Sequence, residues 1–358
     1  MPVLVYKVFN DDGSKNDLLS KSKLDWLRFM PTFLYSSGLA QNVAFNKLQS
    51  SKASVDFEDE IIPLSDGGRI CLSWNYDPER TKKGLVIIWT GLAGSTSKMY
   101  NVNSAFEAIQ KGFNAVVFNL RGGNFWKITT PKFYSELSHD DFREAIDHIH
   151  AKYPEDKLYA IGNSLGASVI CNYINEAAQE NKQTILSGVV CISTMFNQTI
   201  SHNHLENYLY GSFSKAIAKG LKMRLLEQKH MFASMEKEYG IDFEYIFSDK
   251  WARCHDVVNA ITWKIAGCNN AYEYYEAAKL TDKIKNIKIK TLFISSHDDP
   301  LADDKSIPFE EIKSNQDTYL MLTHAGGHLA FYDRVFCSKQ WFTIPAMQFI
   351  DCLHCSNN

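Results

Sequence analysis

The sequence lacks the features that mark several classes of protein. No apolar run is long enough to span a membrane, and the amino terminus has no apolar segment flanked by basic residues, so neither a membrane helix nor a signal peptide is predicted. With 38 Lys and Arg against 41 Asp and Glu, the net charge of −3 provides no positive field for nucleic acid. We therefore expect a cytoplasmic protein with no nucleic-acid partner.

The eight cysteines do not have the spacing of a small disulfide framework. They are scattered through apolar segments, and we interpret them as reduced, mostly buried thiols. Cys352 and Cys355 form a CxxC pair with His354 between them, but no second pair of metal ligands follows nearby. The sequence therefore predicts no metal site, and nothing in it implies a cofactor.

Short apolar runs alternate with helical segments along most of the chain, which is typical of a mainly parallel sheet covered by helices on both faces. The predicted fold class is accordingly α/β. Strands are predicted at 57–64, 70–74, 85–89, 115–119, 158–161, 188–193, 289–295 and 318–323, and helices at about 96–111, 140–152 and 340–353. The glycine turn at 65–68 predicts a hairpin between the first two strands.

Residues 197–280 interrupt the alternation, because their pattern loses its strands and becomes helical and aromatic. We interpret this segment as a helical cap inserted over the sheet. The predicted organisation is an N-terminal arm at 1–55, a first part of the core at 56–196, the cap at 197–280 and a second part of the core at 281–358. No internal repeat and no low-complexity tract is found.

The motif Gly162-Asn-Ser-Leu-Gly166 follows the apolar run 158–161 and precedes a helical pattern. A GxSxG string alone is a weak signal, but a strand-to-helix turn holds its serine in a strained conformation and needs small flanking residues where the two backbones crowd together. Ser164 is therefore the predicted nucleophile.

A serine hydroxyl needs a histidine to accept its proton and a carboxylate to orient that histidine. Two later strands end near such groups: one continues into Asp298 and Asp299, the other into His324 and His328. We choose Asp299, because Pro300 would fix the loop after it, and His328, because two glycines precede it. The order Ser, Asp, His is that of α/β-hydrolases.

The reaction also needs two backbone N–H groups directed at the developing oxyanion. The residue after the nucleophile, Leu165, is predicted to provide one. The loop after strand 85–89 reads Thr90-Gly-Leu-Ala-Gly94, and Leu92 is our candidate for the second donor, with a simple glycine-rich turn as the alternative.

These pieces together resemble one branch of the α/β-hydrolase superfamily, the ABHD1/ABHD2/ABHD3-like group with the YheT-type hydrolases (AB hydrolase 4). The resemblance runs from about Phe29 to Asp333. Besides the motifs above, the matching positions are Pro31, Thr32, Gly38, Gln41, Asp66, Gly67, Gly68, Tyr100, Asn119, Arg121, Gly122, Asp141, Arg143, Tyr274 and Tyr275.

The resemblance implies an α/β-hydrolase fold with a helical cap and a serine hydrolase of carboxylic esters. The group includes phospholipases, monoacylglycerol lipases and medium-chain ester esterases or acyltransferases, and it places the acid at Asp299. Three positions depart from the pattern: Thr90 stands where many relatives have His, Ala330 where they have Gly, and Glu244 where Asp is usual. Thr90, in the oxyanion loop, could change rate or substrate.

We therefore expect an esterase or lipase of lipid-like esters, with no obligate protein partner. Two alternatives stay open: an acyltransferase that uses the same acyl-enzyme, and a non-catalytic protein of this fold that binds a lipid or a partner. The aromatic stretch 24–48 could touch a membrane surface or could instead pack over the core as an arm.

Overall fold

The computed structural model describes residues 4–6, 18, 21–24, 27–31, 33–47, 54–79, 83–123, 126–248, 252–333 and 339–356. Within them lies one sheet of nine strands in the order β1-β9-β8-β7-β6-β4-β5-β3-β2. The strands are β1 (Leu4–Tyr6), β2 (Glu58–Pro63), β3 (Arg69–Asn75), β4 (Leu85–Trp89), β5 (Asn114–Asn119), β6 (Leu158–Asn163), β7 (Leu186–Ile192), β8 (Thr291–Ser296) and β9 (Thr318–Thr323).

The six strands β4 to β9 are parallel, which confirms the predicted mainly parallel sheet. The predicted hairpin is confirmed: β2 pairs antiparallel with β3, and the turn closes through a 2.9 Å hydrogen bond from the Leu64 amide to the Gly68 carbonyl. Strand β1, antiparallel to β9 at the other edge, was not predicted, because three residues are too few to show a period.

The helices alternate with these strands. They are α1 (Gly38–Lys47), α2 (Met99–Gln110), α3 (His139–Lys152), α4 (Leu165–Gln179), α5 (Gln198–Asn207), α6 (Ser212–Glu227), α7 (Phe232–Tyr239), α8 (Phe243–Ser248), α9 (Cys254–Val257), α10 (Trp263–Ile265), α11 (Ala271–Ala278), α12 (Phe309–Ser314) and α13 (Thr343–Ser356). Residues Val258–Thr262 between α9 and α10 form a π-helical segment, and 3₁₀ turns occur at Phe33–Tyr35, Tyr208–Gly211, Lys229–Met231, Thr281–Asn286 and Asp304–Ser306.

The apolar core lies on both faces of the sheet, because successive side chains of a strand point to opposite faces. In β4, Leu85, Ile87 and Trp89 belong to the cluster that α3 and α4 cover. The alternate residues Val86 and Ile88 belong to the cluster that α2 and α13 cover. Burial on two faces explains why this strand reads as a continuous apolar run.

A buried ion-pair network ties the β2–β3 turn to the core. The guanidinium of Arg121, just after β5, donates to both carboxylate oxygens of Asp141 at 2.6 and 2.7 Å, and lies 2.8 Å from Asp66. Removing one member would leave a buried charge unpaired, which is strongly destabilising. These three positions of the family resemblance therefore have a structural role.

The segment between β7 and β8 contains α5 to α11 and no strand within the described residues. Its apolar residues form clusters of their own, with Met235, Phe243 and Ile261 among the members. This matches the helical segment expected over the sheet. The boundaries that divide the chain into arm, core and cap stay predictions.

The stretch 24–48 packs partly on the core. Phe29 is buried, with its ring centroid 5.9 Å from that of Phe331 and 5.1 Å from that of Trp341, whereas Met30 is exposed. Trp26 and Leu48 lie outside the described residues. In the described part of the chain, no helix combines the length and the apolar character needed to cross a bilayer.

Candidate active site

Ser164 stands at the sharp turn between β6 and α4. Its backbone has φ 54° and ψ −115°, a conformation that L-residues rarely adopt, and its amide donates to the carbonyl of Ile192 at 2.8 Å. Because this turn follows β6 directly, Ser164 lies at the carboxyl edge of the parallel strands. This is the geometry that the GxSxG motif predicts.

The two glycines of the motif are required by close backbone approach. A Cβ on Gly162 would lie 2.6 Å from Cα of Ala167, and a Cβ on Gly166 would lie 2.8 Å from the carbonyl oxygen of Trp89 and against its indole ring. Such distances are far below van der Waals contact. The strand and the helix can therefore turn this tightly only with glycine at both positions.

The structure brings Asp299 and His328 to Ser164. His328 Nε2 lies 2.8 Å from Ser164 Oγ, and His328 Nδ1 lies 2.8 and 3.1 Å from the two carboxylate oxygens of Asp299. Asp299 Oδ1 also accepts from the amides of Leu301 at 2.8 Å and Ala302 at 3.0 Å. All three residues are buried. The three side chains form one continuous hydrogen-bonded line.

The two neighbouring alternatives lie elsewhere. Asp298 Oδ1 accepts from the amide of Gly327 at 3.1 Å, so this carboxylate braces the loop that carries His328. His324 is exposed, and its ring stacks against that of His297 at 5.6 Å between centroids. Neither of the two alternatives has a hydrogen bond to Ser164 in the described residues.

Helix α1 holds the histidine loop from outside the sheet. The amide of His328 donates to Asn42 Oδ1 at 2.9 Å, and Asn42 Nδ2 donates to the carbonyl of His328 at 3.1 Å. The preceding residue, Gln41, makes the same pair of bonds with Tyr332, at 2.7 and 3.0 Å. Sequence reasoning missed this role for Asn42, because 286 residues separate it from its partner.

The loop that carries His328 has a strained backbone. Gly327, Leu329 and Phe331 all have positive φ, with values of 60°, 59° and 46°. Only the first of these residues is a glycine, and positive φ is costly for the other two. The hydrogen bonds from α1 compensate for this strain and fix the imidazole.

The two candidate oxyanion donors lie at the same cavity as Ser164. Leu92 and Leu165 both line the cavity at the serine, and neither amide has a hydrogen-bond partner among the described residues. The amides beside Leu92 are in contrast occupied: Gly91 donates to the hydroxyl of Tyr100 at 3.1 Å and Ala93 to that of Tyr134 at 3.2 Å. The loop after β4 is therefore fixed by hydrogen bonds on both sides of Leu92, whose own amide has no partner among the described residues.

Thr90, the departure from the family pattern, does not line the cavity. Its side chain is fully buried, with Oγ1 2.9 Å from the hydroxyl of Tyr100 and accepting from Asn101 Nδ2 at 3.1 Å. A Cβ on Gly94 would clash with this hydroxyl and that of Tyr100. Through the Tyr100 hydroxyl, which accepts from the Gly91 amide, Thr90 therefore helps to fix the backbone of the loop after β4.

A cavity of about 410 Å³ opens above Ser164 and His328. Its volume is within the range of small-molecule sites. Most of its wall is apolar and comes from the helical segment between β7 and β8. The apolar lining includes Met195, Leu205, Phe213, Ile217, Leu221, Val257, Val258, Ile261 and Ile265.

Two ionisable groups in the cavity wall are shifted toward their neutral forms by burial. Burial raises the pKa of Glu136 to about 7 and lowers the pKa of His202 to about 4. The backbone of Glu136 is fixed by Tyr274, whose hydroxyl accepts from its amide at 3.3 Å, and by Asn172, which donates to its carbonyl at 2.9 Å. At neutral pH His202 is therefore uncharged, and Glu136 is partly protonated.

One cluster of the described residues has the donor atoms of a metal site: His139, Asp140 and Glu176. Arg143 pairs with both carboxylates and so already supplies the positive charge between them. The cluster lies on the outer side of α3 and α4, and its residues do not line the cavity at Ser164. We assign it to surface ion pairing.

The α/β hydrolase fold family matches residues 84–335, which is most of the chain. The chain belongs to the α/β-hydrolase fold family. The match covers the strands from β4 to β9, the segment between β7 and β8, and all three residues of the hydrogen-bonded line. Helix α1 lies before the matched region.

Curated relatives of this family member are similar over most of its length. The "Embryogenesis-associated protein EMB8" of Picea glauca is 29% identical over 76% of this chain and 60% of its own length. "Phospholipase ABHD3" of Homo sapiens is 26% identical over 80% of this chain and 69% of its own, and "Monoacylglycerol lipase" of Saccharomyces cerevisiae is 28% identical over 83% and 68%. The last two names agree with the predicted class of ester hydrolase.

A solved structure shares the fold. The esterase of Pyrococcus furiosus superposes with a TM-score of 0.50, at 16% identity, over 80% of this chain and 86% of its own. At this identity the likeness shows the architecture alone. It agrees with the predicted α/β-hydrolase fold.

The crowding around Gly166 generates a prediction about stability. We expect Gly166→Ala to lower the free energy of unfolding by about 1 to 3 kcal/mol, because the new methyl group must displace the Trp89 backbone or ring. Gly220→Ala in α6 is the matched control, since a Cβ there meets no atom within 4 Å and alanine favours a helix. Urea unfolding measures both, and equal effects would contradict this explanation.

The raised pKa of Glu136 predicts a pH-dependent stability. Between its ordinary pKa of 4.5 and about 7 the folded state holds a proton that the unfolded state has lost, so the free energy of unfolding falls as pH rises through this window. Glu136→Gln removes the effect and should be more stable than wild type by about 1 to 3 kcal/mol at pH 8.

The measurement is urea unfolding of wild type and Glu136→Gln at about pH 5 and pH 8. The exposed Glu310→Gln is the control and should change stability equally at both values. A difference between wild type and Glu136→Gln that does not grow with pH would show that Glu136 is ionised in the folded protein at both values.

Proposed function

We propose that this protein is a serine hydrolase that cleaves carboxylic esters of lipid-like substrates, such as acylglycerols, phospholipids or medium-chain fatty acyl esters. The observation that carries the proposal is the line from Ser164 through His328 to Asp299, with a distance of 2.8 Å at each link. Such a line makes a serine hydroxyl nucleophilic at neutral pH.

In the first step, Ser164 Oγ attacks the ester carbonyl while His328 Nε2 accepts the hydroxyl proton. Asp299 accepts a hydrogen bond from His328 Nδ1–H, which holds the ring in the required tautomer and stabilises the imidazolium. The carbonyl oxygen becomes an oxyanion, and the amides of Leu92 and Leu165 would donate to it.

In the second step, the tetrahedral intermediate collapses and the bond to the leaving alcohol breaks. His328 gives its proton to the leaving oxygen, and the acyl group stays on Ser164. Water then attacks this acyl-enzyme, with His328 as the base, and releases the acid. Acyl transfer to an alcohol would differ only in which hydroxyl compound attacks the acyl-enzyme.

The cavity supports the lipid-like class of substrate. Its wall is mostly apolar, and burial shifts both Glu136 and His202 toward their neutral forms, so an acyl chain would bind mainly against apolar side chains. The long aromatic and aliphatic side chains of the wall provide adaptable apolar surface.

The central prediction concerns Ser164. We expect Ser164→Ala to abolish labelling by a fluorophosphonate probe and to lower turnover of a p-nitrophenyl ester by about 10³-fold or more. Ser168→Ala is the matched control, because Ser168 is buried one helical turn further along α4 and outside the hydrogen-bonded line. Labelling that survives in Ser164→Ala would refute the assignment.

Asp299 and His328 can each be compared with a neighbouring residue of the same type by measuring turnover of the p-nitrophenyl ester. Asp299→Asn should lower turnover far more than Asp298→Asn, and His328→Ala far more than His324→Ala, because only Asp299 and His328 join the line to Ser164. If no ester is hydrolysed by wild-type protein, the non-catalytic alternative replaces this proposal.

Helix α1 yields a graded prediction for a positioning residue. Asn42→Ala should lower kcat by about 10- to 100-fold, because both backbone groups of His328 lose their partner and the strained loop relaxes. Asn42→Asp keeps the acceptor but loses the donor, so an intermediate loss is expected. The rate of fluorophosphonate labelling should fall in the same order, whereas unchanged labelling would contradict a role in placing the imidazole.

A further inference from the structure

Helix α6 carries an unusual set of exposed apolar side chains. Met223 and Leu226 are 57% and 50% exposed, and the turn that leads into the helix exposes Leu209 at 43% and Tyr210 at 92%. Both residues of this turn have positive φ, which is costly for side chains of their size. Apolar groups that are held in water in this way mark an interaction surface.

The same helix is strongly cationic on a protein of net negative charge. It contains Lys215, Lys219, Lys222 and Arg224 against the single carboxylate of Glu227. The three lysines are spaced by four and three residues, so they lie along one stripe of the helix. This charge is complementary to an anionic surface.

The helical repeat gives the order in which the side chains of α6 are arranged around its axis. At about 100° per residue, the lysine stripe is followed by Met223, then by Ala216 and Gly220, and then by Phe213, Ile217 and Arg224. Ala216 and Gly220 are both exposed and also line the cavity above Ser164. The cavity therefore opens along this helix, next to the exposed apolar stripe and the lysines.

We infer that the outer face of α6, with the turn at Leu209 and Tyr210, docks on an anionic lipid surface and places the cavity mouth against it. Cationic side chains beside exposed apolar groups are the composition of helices that lie in a membrane interface. The inference rests on the proposed function, because a lipid-like ester in such a surface would enter the cavity past Ala216 and Gly220.

A lipid surface explains the combination of features better than an acidic protein does. The exposed apolar groups lie at both ends of the helix, with Leu209 and Tyr210 just before it and Met223 and Leu226 near its end, and a helix of 16 residues is about 24 Å long. Between them, the exposed Ala216 and Gly220 line an apolar cavity suited to an acyl chain. A bilayer supplies the negative headgroups, the apolar phase and the substrate at one surface.

The first test measures binding without turnover. The full-length Ser164→Ala protein is sedimented with vesicles of phosphatidylcholine alone or of phosphatidylcholine with phosphatidylserine. We expect binding to the vesicles that contain phosphatidylserine, weakening as salt is raised. Replacing Lys215, Lys219 and Lys222 together by Gln should weaken this binding by about 10- to 100-fold.

The matched control replaces three exposed lysines at the other end of the sheet, Lys285, Lys288 and Lys313, by Gln. These residues precede β8 and β9 and so lie at the amino ends of the parallel strands, away from the cavity. The control should bind vesicles as the parent does. Thermal unfolding of both triple variants verifies that each is folded.

The second test separates docking from chemistry in the active enzyme. Met223→Ser with Leu226→Ser should lower hydrolysis of an ester embedded in vesicles by about 10-fold, because the apolar contact with the bilayer is lost. Hydrolysis of a water-soluble short p-nitrophenyl ester should stay unchanged, since neither residue lines the cavity.

The outcomes decide between this inference and the proposed function. Absence of vesicle binding, or equal loss in both lysine triples, would overturn docking through α6; the first result would point to an acidic protein as the occupant of this face. Binding that depends on the α6 lysines in a protein that hydrolyses no ester would support docking and refute the proposed function.

Discussion

The hydrogen bond between His328 Nε2 and Ser164 Oγ is the contact on which the rest of the site depends. It joins the turn after β6 to the loop after β9, and Asp299 extends it to the loop after β8. These three loops meet because parallel strands present their carboxyl ends at one edge of the sheet. Without this contact, the Ser164 hydroxyl would have no base beside it, and the amides of Leu92 and Leu165 and the apolar cavity could not serve the proposed reaction.

Both segments that form this contact have strained backbones, and neighbouring residues stabilise them. Ser164, Leu329 and Phe331 all have positive φ, and the amide of each donates a hydrogen bond, to Ile192, Ser193 and Gly326 respectively. Glycines at 162 and 166 permit the serine turn, whereas Asn42 and Gln41 of α1 fix the histidine loop. The support from α1 lies outside the region matched by the family, so the core alone does not complete the site.

The parts of this arrangement that could be predicted from sequence are those with a local signal. The buried strands read as apolar runs because both faces of the sheet are covered, and Ser164 reads as a motif because the crowding at its flanks demands glycine. Asp299 and His328 followed from their position after two such strands. Strand β1 gave no signal because it is short, and the roles of Asn42, Glu136 and His202 gave none because each arises from a partner or a cavity wall distant in the chain.

Sequence alone therefore determined the α/β fold, the order of its strands along the chain and Ser164 as the candidate nucleophile, because residue type and spacing encode these locally. Only the tertiary structure shows that the carboxylate of Asp299 rather than that of Asp298 contacts the imidazole, and that Thr90 is hydrogen-bonded to Tyr100 instead of lining the cavity. It also shows that Ala216 and Gly220 of α6 are exposed and line the cavity. Adjacent residues in a loop differ in direction, and the direction of a side chain is set by packing against distant segments.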